Sequence, residues 1–222
     1  MILLTTNRGL VGSLNTNVLN KFRELEINKF NNNNHTEIIA EIITYGRKGG
    51  QALSRWQKNI VADFPRLDRT ISAEDIYPIA QMITHMYSSG TYRKIFLVYN
   101  TFVSTLVQSA VAKQILPFHE SIREELASDS DDPEIGETSY IFEPDTNTVL
   151  SHLLPRIVES QIYRAILESD ASEHSARMVM MKNATEAAGD IITDLTLAYN
   201  QLRQNKITTE LAEITAGKIA LE

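Results

Sequence analysis

Five histidines are the first candidates for metal or proton chemistry. His35, His85, His119, His152 and His174 lie far apart, with no H-x-x-x-H pair and no neighbouring carboxylate at metal-ligand spacing. They read as surface or satisfied residues, and no metal site is expected. Glu173-His174-Ser175 sets three triad residue types side by side. Consecutive helix positions point about 100° apart, so these three cannot converge as nucleophile, base and orienter. Cysteine is absent, which excludes thiolate nucleophiles, thiolate metal sites and disulfide scaffolds. The strongest enzymatic candidate is "LLTTNRGLVGSLNTN", a strand, a turn carrying Gly9 and Gly12, and a helix start whose N–H groups could hold phosphate. Its glycine spacing fits neither G-x-G-x-x-G nor G-x-x-x-x-G-K-[ST], and no Lys follows to meet a terminal phosphate. Gly9–Asn15 therefore reads first as a structural turn and second as a nucleotide cradle; "GRKGG" at Gly46–Gly50 is similarly weak. No cofactor is expected.

The elements that must position these residues change character along the chain. From Met1 to Phe118, short apolar runs alternate with amphipathic stretches, the pattern of an α/β layer with a mainly parallel, Rossmann-like sheet. Strands are expected at Ile2–Thr6, Glu37–Tyr45, Asn59–Ala62, Lys94–Asn100 and Val107–Pro117. Leu14, Val18, Phe22 and Leu25 recur at helical spacing, as do Ile76, Ile79, Ala80 and Ile83. The second of these helices should open at Ser72, with Asp75 as a short-armed capping box. Trp56 is placed in a helix opened by Gly49-Gly50. Residues His119–Asp145 hold ten acidic residues and one Arg, the composition of a solvated linker with a return strand. This divides the chain into an α/β domain over 1–118, an acidic linker over 119–145 and a helical shaft over 146–222.

The charge balance narrows the partners. Twenty-one basic and 28 acidic residues give a net charge of −7, which opposes nucleic-acid binding. No apolar run approaches the roughly 20 residues that span a bilayer.

The C-terminal third carries the most informative physical feature. Met178, Met181, Thr185, Ala188, Ile192, Leu195, Tyr199 and Leu202 are separated by threes and fours in strict alternation, a heptad seam. The stripe then shifts phase to Ile207, Leu211 and Ile214. At a rise of about 1.5 Å per residue, Ala171–Glu222 makes a helix of about 78 Å, which a domain of this size cannot bury. Two departures are open: Pro155 as a kink, and breaks at Gly189 and Asn205 into shorter helices. The seam calls for a partner helix that no earlier segment is long enough to supply. A second copy of the chain, packed antiparallel, is the simplest self-association through it.

The stretch "ASEHSARMVMMKNATEAAGDIITDLTLAYNQLRQNKITTELAEITAGKIAL" closely resembles the C-terminal helix of the γ subunits of F-type ATP synthases. "TTNRGLVGSLNTNVL", "YGRKG", "LVYNTFVS" with "QILPF", and "YIFEPDTNTVLSHLLPRIVESQIYRAILES" resemble that family's remaining segments, so the likeness runs end to end. The first motif departs from the family's usual Asp-Arg-Gly-Leu-Cys-Gly-Gly at Asn7, Val11 and Ser13. The family also places a long helix ahead of its first strand, so a sequence lacking that N-terminal helix is expected here.

The resemblance implies a rotor without an active site of its own. It implies an antiparallel coiled coil inside a ring of α and β subunits, and an α/β domain seated with the ε subunit on the c ring. It implies a peripheral position on the cytoplasmic face of a bacterial inner membrane, or the matrix or stromal equivalent. It also implies that Arg177, Arg203, Gln204, Thr208 and Glu210 contact the β subunits during coupling, and that Tyr140 and Glu143 face the c ring. The competing readings are a nucleotide-binding enzyme or sensor at Gly9–Asn15 and a coiled-coil adaptor unrelated to rotation.

Overall fold

The computed structural model describes residues 1–30, 40–66, 71–118, 143 and 145–219. Five strands, β1 (Ile2–Leu4), β2 (Ile42–Tyr45), β3 (Ile60–Phe64), β4 (Ile95–Phe102) and β5 (Gln108–Leu116), form one sheet among the described residues, in the order β3-β2-β1-β4-β5. The β1–β2, β1–β4 and β2–β3 pairs are parallel. Only β5 runs antiparallel, paired with β4 from Ile95 opposite Leu116 to Phe102 opposite Gln108. The mainly parallel α/β sheet expected from the alternating pattern is therefore present.

Period-two alternation assigns each strand's side chains to a layer. Ile2, Leu4, Ile43, Tyr45, Ile95, Leu97 and Tyr99 fall on one face, against α3 (Ala73–Ser88) through Ile76, Ile79, Ala80 and Ile83. Leu3, Ile42, Phe96 and Val98 fall on the other, against Val18, Phe22 and Leu25 of α1 (Leu14–Phe30) and Leu53 of α2 (Arg47–Arg55). A strand buried on both faces reads as a continuous apolar run, which is why β1 and β4 stand out in the sequence.

Local chemistry sets the helix ends. Ser72 precedes α3, and both its backbone N–H and its hydroxyl donate to Asp75 Oδ2 at 3.0 Å. Ser72→Ala should cost about 1 kcal/mol, a fall in Tm of about 2–4 °C for a chain of this size, read by thermal melting. Trp56 departs from its sequence placement: it caps α2 rather than lying within it, with the Arg23 guanidinium 4.4 Å over its ring. Gly49 and Gly50 lie inside α2, whose N-cap is Gly46.

The last helix, α4 (Thr146–Ile219), is continuous through Pro155, Gly189 and Asn205. The helix runs on through Pro155, and the breaks at Gly189 and Asn205 do not occur. One glycine costs only about 1 kcal/mol in a helix, and the threonines keep their hydroxyls satisfied without leaving it. Thr185, Thr193, Thr196 and Thr215 each donate to the carbonyl four residues back at 2.7–3.0 Å.

The chain divides into two compact units, Met1–Arg177 and the remainder from Met178. In the first, Val158, Ile162, Ala165 and Ile166 of α4 complete the core layer shared with α3. In the second, every described side chain from Met181 to Gly217 is exposed. Its seam residues Ile192, Leu195, Tyr199 and Leu202 are 64–68 % accessible, far more than apolar groups in a covered core.

Candidate functional site

The polar residues singled out on the second unit are presented by a single helix. Arg203, Gln204, Thr208 and Glu210 are all exposed. At 100° per residue, Arg203 and Glu210 fall within about 20° of each other, at the margin of the stripe holding Ile192 and Tyr199. Gln204 and Thr208 form a second stripe, roughly 100–160° away. A partner would thus meet two polar edges rather than one patch. Thr208 donates to the Gln204 carbonyl at 2.5 Å, and Lys206 lies 3.9 Å from Glu210. Arg203 has no ion-pair partner among the described residues, so its planar fork is available to a carboxylate.

The seam residues Met178, Met181, Thr185, Ala188, Ile192, Leu195, Tyr199 and Leu202 all lie on this helix. Arg177 belongs to the first unit and is separate from the other four polar candidates. It is half-buried, with a guanidinium nitrogen 2.5 Å from Glu173 Oε1. Glu143 is exposed, and Tyr140 lies outside the described residues.

Arg177 leads into a charge cluster that the sequence did not disclose. Glu173 Oε2 lies 2.5 Å from Arg66, whose other terminal nitrogen pairs with Asp170. Arg66 also donates to the Thr5 carbonyl at 3.3 Å, and its side chain is only 7 % accessible. Burial pushes the Asp170 carboxyl above its usual range, with Arg66 pulling it back and the neighbouring Glu173 adding to the rise. The spacing of Asp170, Glu173 and Arg177 places them along one helix face, but nothing in the sequence marks Arg66 as their partner.

The Gly9–Asn15 turn is engaged by its own chain. Asn15 accepts from the Thr6 N–H at 3.1 Å and donates to the Thr6 hydroxyl at 2.8 Å. The Asn7 amide donates to the Arg66 carbonyl at 2.7 Å, and its oxygen accepts from the Arg47 N–H at 3.2 Å. In doubly wound sheets a nucleotide sits beyond the carboxyl ends of the strands where strand order reverses, here β1 and β4. That crevice is filled by α4 and α1. Thr101 donates to Glu168 at 2.7 Å, Ser172 to the Asn100 carbonyl at 3.4 Å, and Val11 and Leu14 pack on Ala176. Gly46, which opens the "GRKGG" motif, is explained by its backbone at φ 103°, tight against Thr5.

Among the described residues, no three His, Asp or Glu side chains group as a metal site, and no helix is long and apolar enough to cross a membrane. His85 lies in α3, and His152 and His174 in α4; His35 and His119 fall outside the described residues.

The family model described as ATP synthase matches residues 1–221. The ATP synthase gamma chain of Roseiflexus castenholzii is 39% identical over 221 residues, covering 100% of this chain and 72% of the relative. That of Coxiella burnetii is 39% identical over 222 residues, covering 100% and 73%. In fold, the chain is similar to one in the mitochondrial ATP synthase of Euglena gracilis, solved as OSCP/F1/c-ring, with a TM-score of 0.69, 22% identity, and coverage of 99% and 71%. A second likeness, to the central stalk/c-ring structure from Tetrahymena thermophila, has a TM-score of 0.60 at 22% identity, covering 83% and 75%. The match along this whole chain at this identity, together with the mainly parallel sheet and the continuous terminal helix, places the chain in the ATP synthase gamma-chain family.

Proposed function

We propose that this chain is the central rotor subunit of an F-type ATP synthase. In this role it passes ion-driven rotation of a c ring to the catalytic β subunits and forms no covalent bond itself. The observation that carries the reading is the end-to-end likeness to gamma chains, joined to a helix with no break from Thr146 to Ile219. A transmission element needs stiffness, which a continuous hydrogen-bonded helix supplies, and an uneven surface, which the two polar edges beside an apolar seam supply.

The apolar seam is read as the face that receives a second helix in an antiparallel coiled coil, within a ring of α and β subunits. Arg203 and Gln204, with Thr208 and Glu210, are read as contacts to the β subunits. Arg177 is read as a further point on the same track, and Tyr140 and Glu143 as contacts to the c ring. An ε subunit is expected beside the sheet body. The complex would hold this chain peripherally, on the cytoplasmic face of a bacterial inner membrane or its organellar equivalent.

Arg203→Ala, in the complete complex reconstituted into vesicles, should lower ATP synthesis about tenfold, the worth of one charge-assisted hydrogen bond made during coupling. Gln204→Ala should cost less. Both sites are exposed, so body melting should not move. Synthesis at the unsubstituted rate in Arg203→Ala would remove Arg203 from the coupling surface.

A further inference from the structure

The apolar contacts of α4 with the sheet body set which helix face points inward. Val158, Ile162, Ala165 and Ile166 form a single stripe in the shared core. Rolling would carry Ile162 and Ile166, which are fully buried, toward water, so the stripe opposes large rotations. The hydrophobic effect itself is non-directional, and fine rotation is set by directed contacts. After Ile166 the character of the contacts changes. Glu168 accepts from Thr101, Ser172 donates to the Asn100 carbonyl, and Asp170 and Glu173 both engage Arg66. The last two turns of α4 within the first unit thus add directed polar contacts to the packing of Ala176 on Val11 and Leu14.

Arg66 is the centre of that arrangement. It follows β3, donates to the Thr5 carbonyl at the end of β1, and reaches two carboxylates three residues apart on α4. One planar fork thus ties two strand ends to one helix face, with the rigidity of geometry peculiar to guanidinium. Glu173 is shared with Arg177, so two guanidinium groups face two carboxyl groups.

We propose that Arg66 is a positioning residue that locks α4 against rotation in the sheet body, making the last turns before residue 178 a torsionally stiff coupling. The proposal rests on the rotor reading and adds to it the place where turning force enters or leaves the body.

The test uses the full chain assembled in the complete complex, with a rotation probe on the body. The chain has no cysteine, so Ser54→Cys at an exposed position of α2 gives this chain a single attachment point, used with partner subunits freed of reactive cysteines. The angular variance of the probe is read during the pause between ATP-driven steps. Arg66→Met should raise that variance roughly twofold, and Arg66→Lys, which keeps the charge but loses the fork, should recover part of the stiffness. A purely structural role would lower the melting temperature but leave the variance of assembled complexes unchanged, and that result overturns the proposal. Should Arg66→Met fail to assemble, Asp170→Asn keeps the side-chain shape and is read in the same way; unchanged variance there overturns it equally. If the chain without any substitution at Arg66 shows no ATP-driven stepping, the rotor reading fails and the proposal with it. The missing steps distinguish that failure from a loss of stiffness alone.

Discussion

Gly46→Ala is expected to destabilise the sheet body by about 3–4 kcal/mol, lowering Tm by roughly 10 °C. A β-carbon built on Gly46 would lie 2.1 Å from the Thr5 carbonyl oxygen and 2.8 Å from its carbon. Both are backbone atoms of the chain just past the central strand and cannot swing aside like the end of a side chain. The backbone at φ 103° adds strain of its own, since L side chains rarely adopt it. Relief by displacement is blocked on every side. The Gly46 N–H donates to the Phe64 carbonyl at 3.1 Å, the Thr5 N–H to the Tyr45 carbonyl at 2.9 Å, and the Thr5 hydroxyl to the Gly46 carbonyl at 3.0 Å. Overpacking and backbone strain each cost about 1–3 kcal/mol, and here they act on the same atom. Gly189→Ala is the matched control. Its β-carbon meets nothing within 4 Å and α4 gains a better helix former, so it should stabilise the helix locally by about 1 kcal/mol. Thermal melts followed by circular dichroism separate the two. A Gly46→Ala melt within a degree or two of the unsubstituted chain would mean that the strand ends do not meet as described.

Much of the fold was legible because the core is periodic. β1, β2 and β4 follow apolar runs, and Leu14, Val18, Phe22 and Leu25 occupy one buried face, as their spacing requires. Strand ends moved by a few residues: β1 stops at Leu4 rather than Thr6, and β3 runs on to Phe64 rather than stopping at Ala62. At those positions side chains are buried or exposed by the loops that follow, which a strand pattern does not encode. Helical periodicity in turn records which face is apolar, not what covers it. Ile162, Ala165 and Ile166 are covered by the chain itself, whereas Ile192, Leu195 and Tyr199, spaced in the same manner, are open. The Arg66 cluster was illegible for a different reason. It joins residues more than a hundred positions apart, and a lone arginine in a loop has no spacing to interpret. The candidate polar contacts on the second unit were found by resemblance, since exposed Arg, Gln, Thr and Glu on a helix otherwise read as a solvated face.

Leu195→Asp should distinguish the seam from ordinary surface, because its effect depends on whether the seam is covered. In the isolated chain Leu195 is 64 % accessible, so a carboxylate there meets water and costs only the difference in helix propensity, about 0.5 kcal/mol. The sheet body has no stake in the position and should melt unchanged. Once a second helix lies on the seam, the same substitution loses about 2 kcal/mol of apolar burial. It also sets a carboxylate with no counter-charge among Ile192, Tyr199 and Leu202, adding about 2 kcal/mol more. The sum of about 4 kcal/mol corresponds to roughly a thousandfold loss of affinity for the covering helix. Assembly into an active complex, and any concentration-dependent self-association of the isolated chain seen by sedimentation, should fall together, since both use the same face. Gln201→Asp adds the same charge on the far side of the helix and should leave both intact. If the two variants lose assembly equally, added charge anywhere on the helix is the cause and the seam is not the docking face. If neither loses it, the apolar stripe stays open in the complex and stiffness would have to come from α4 alone.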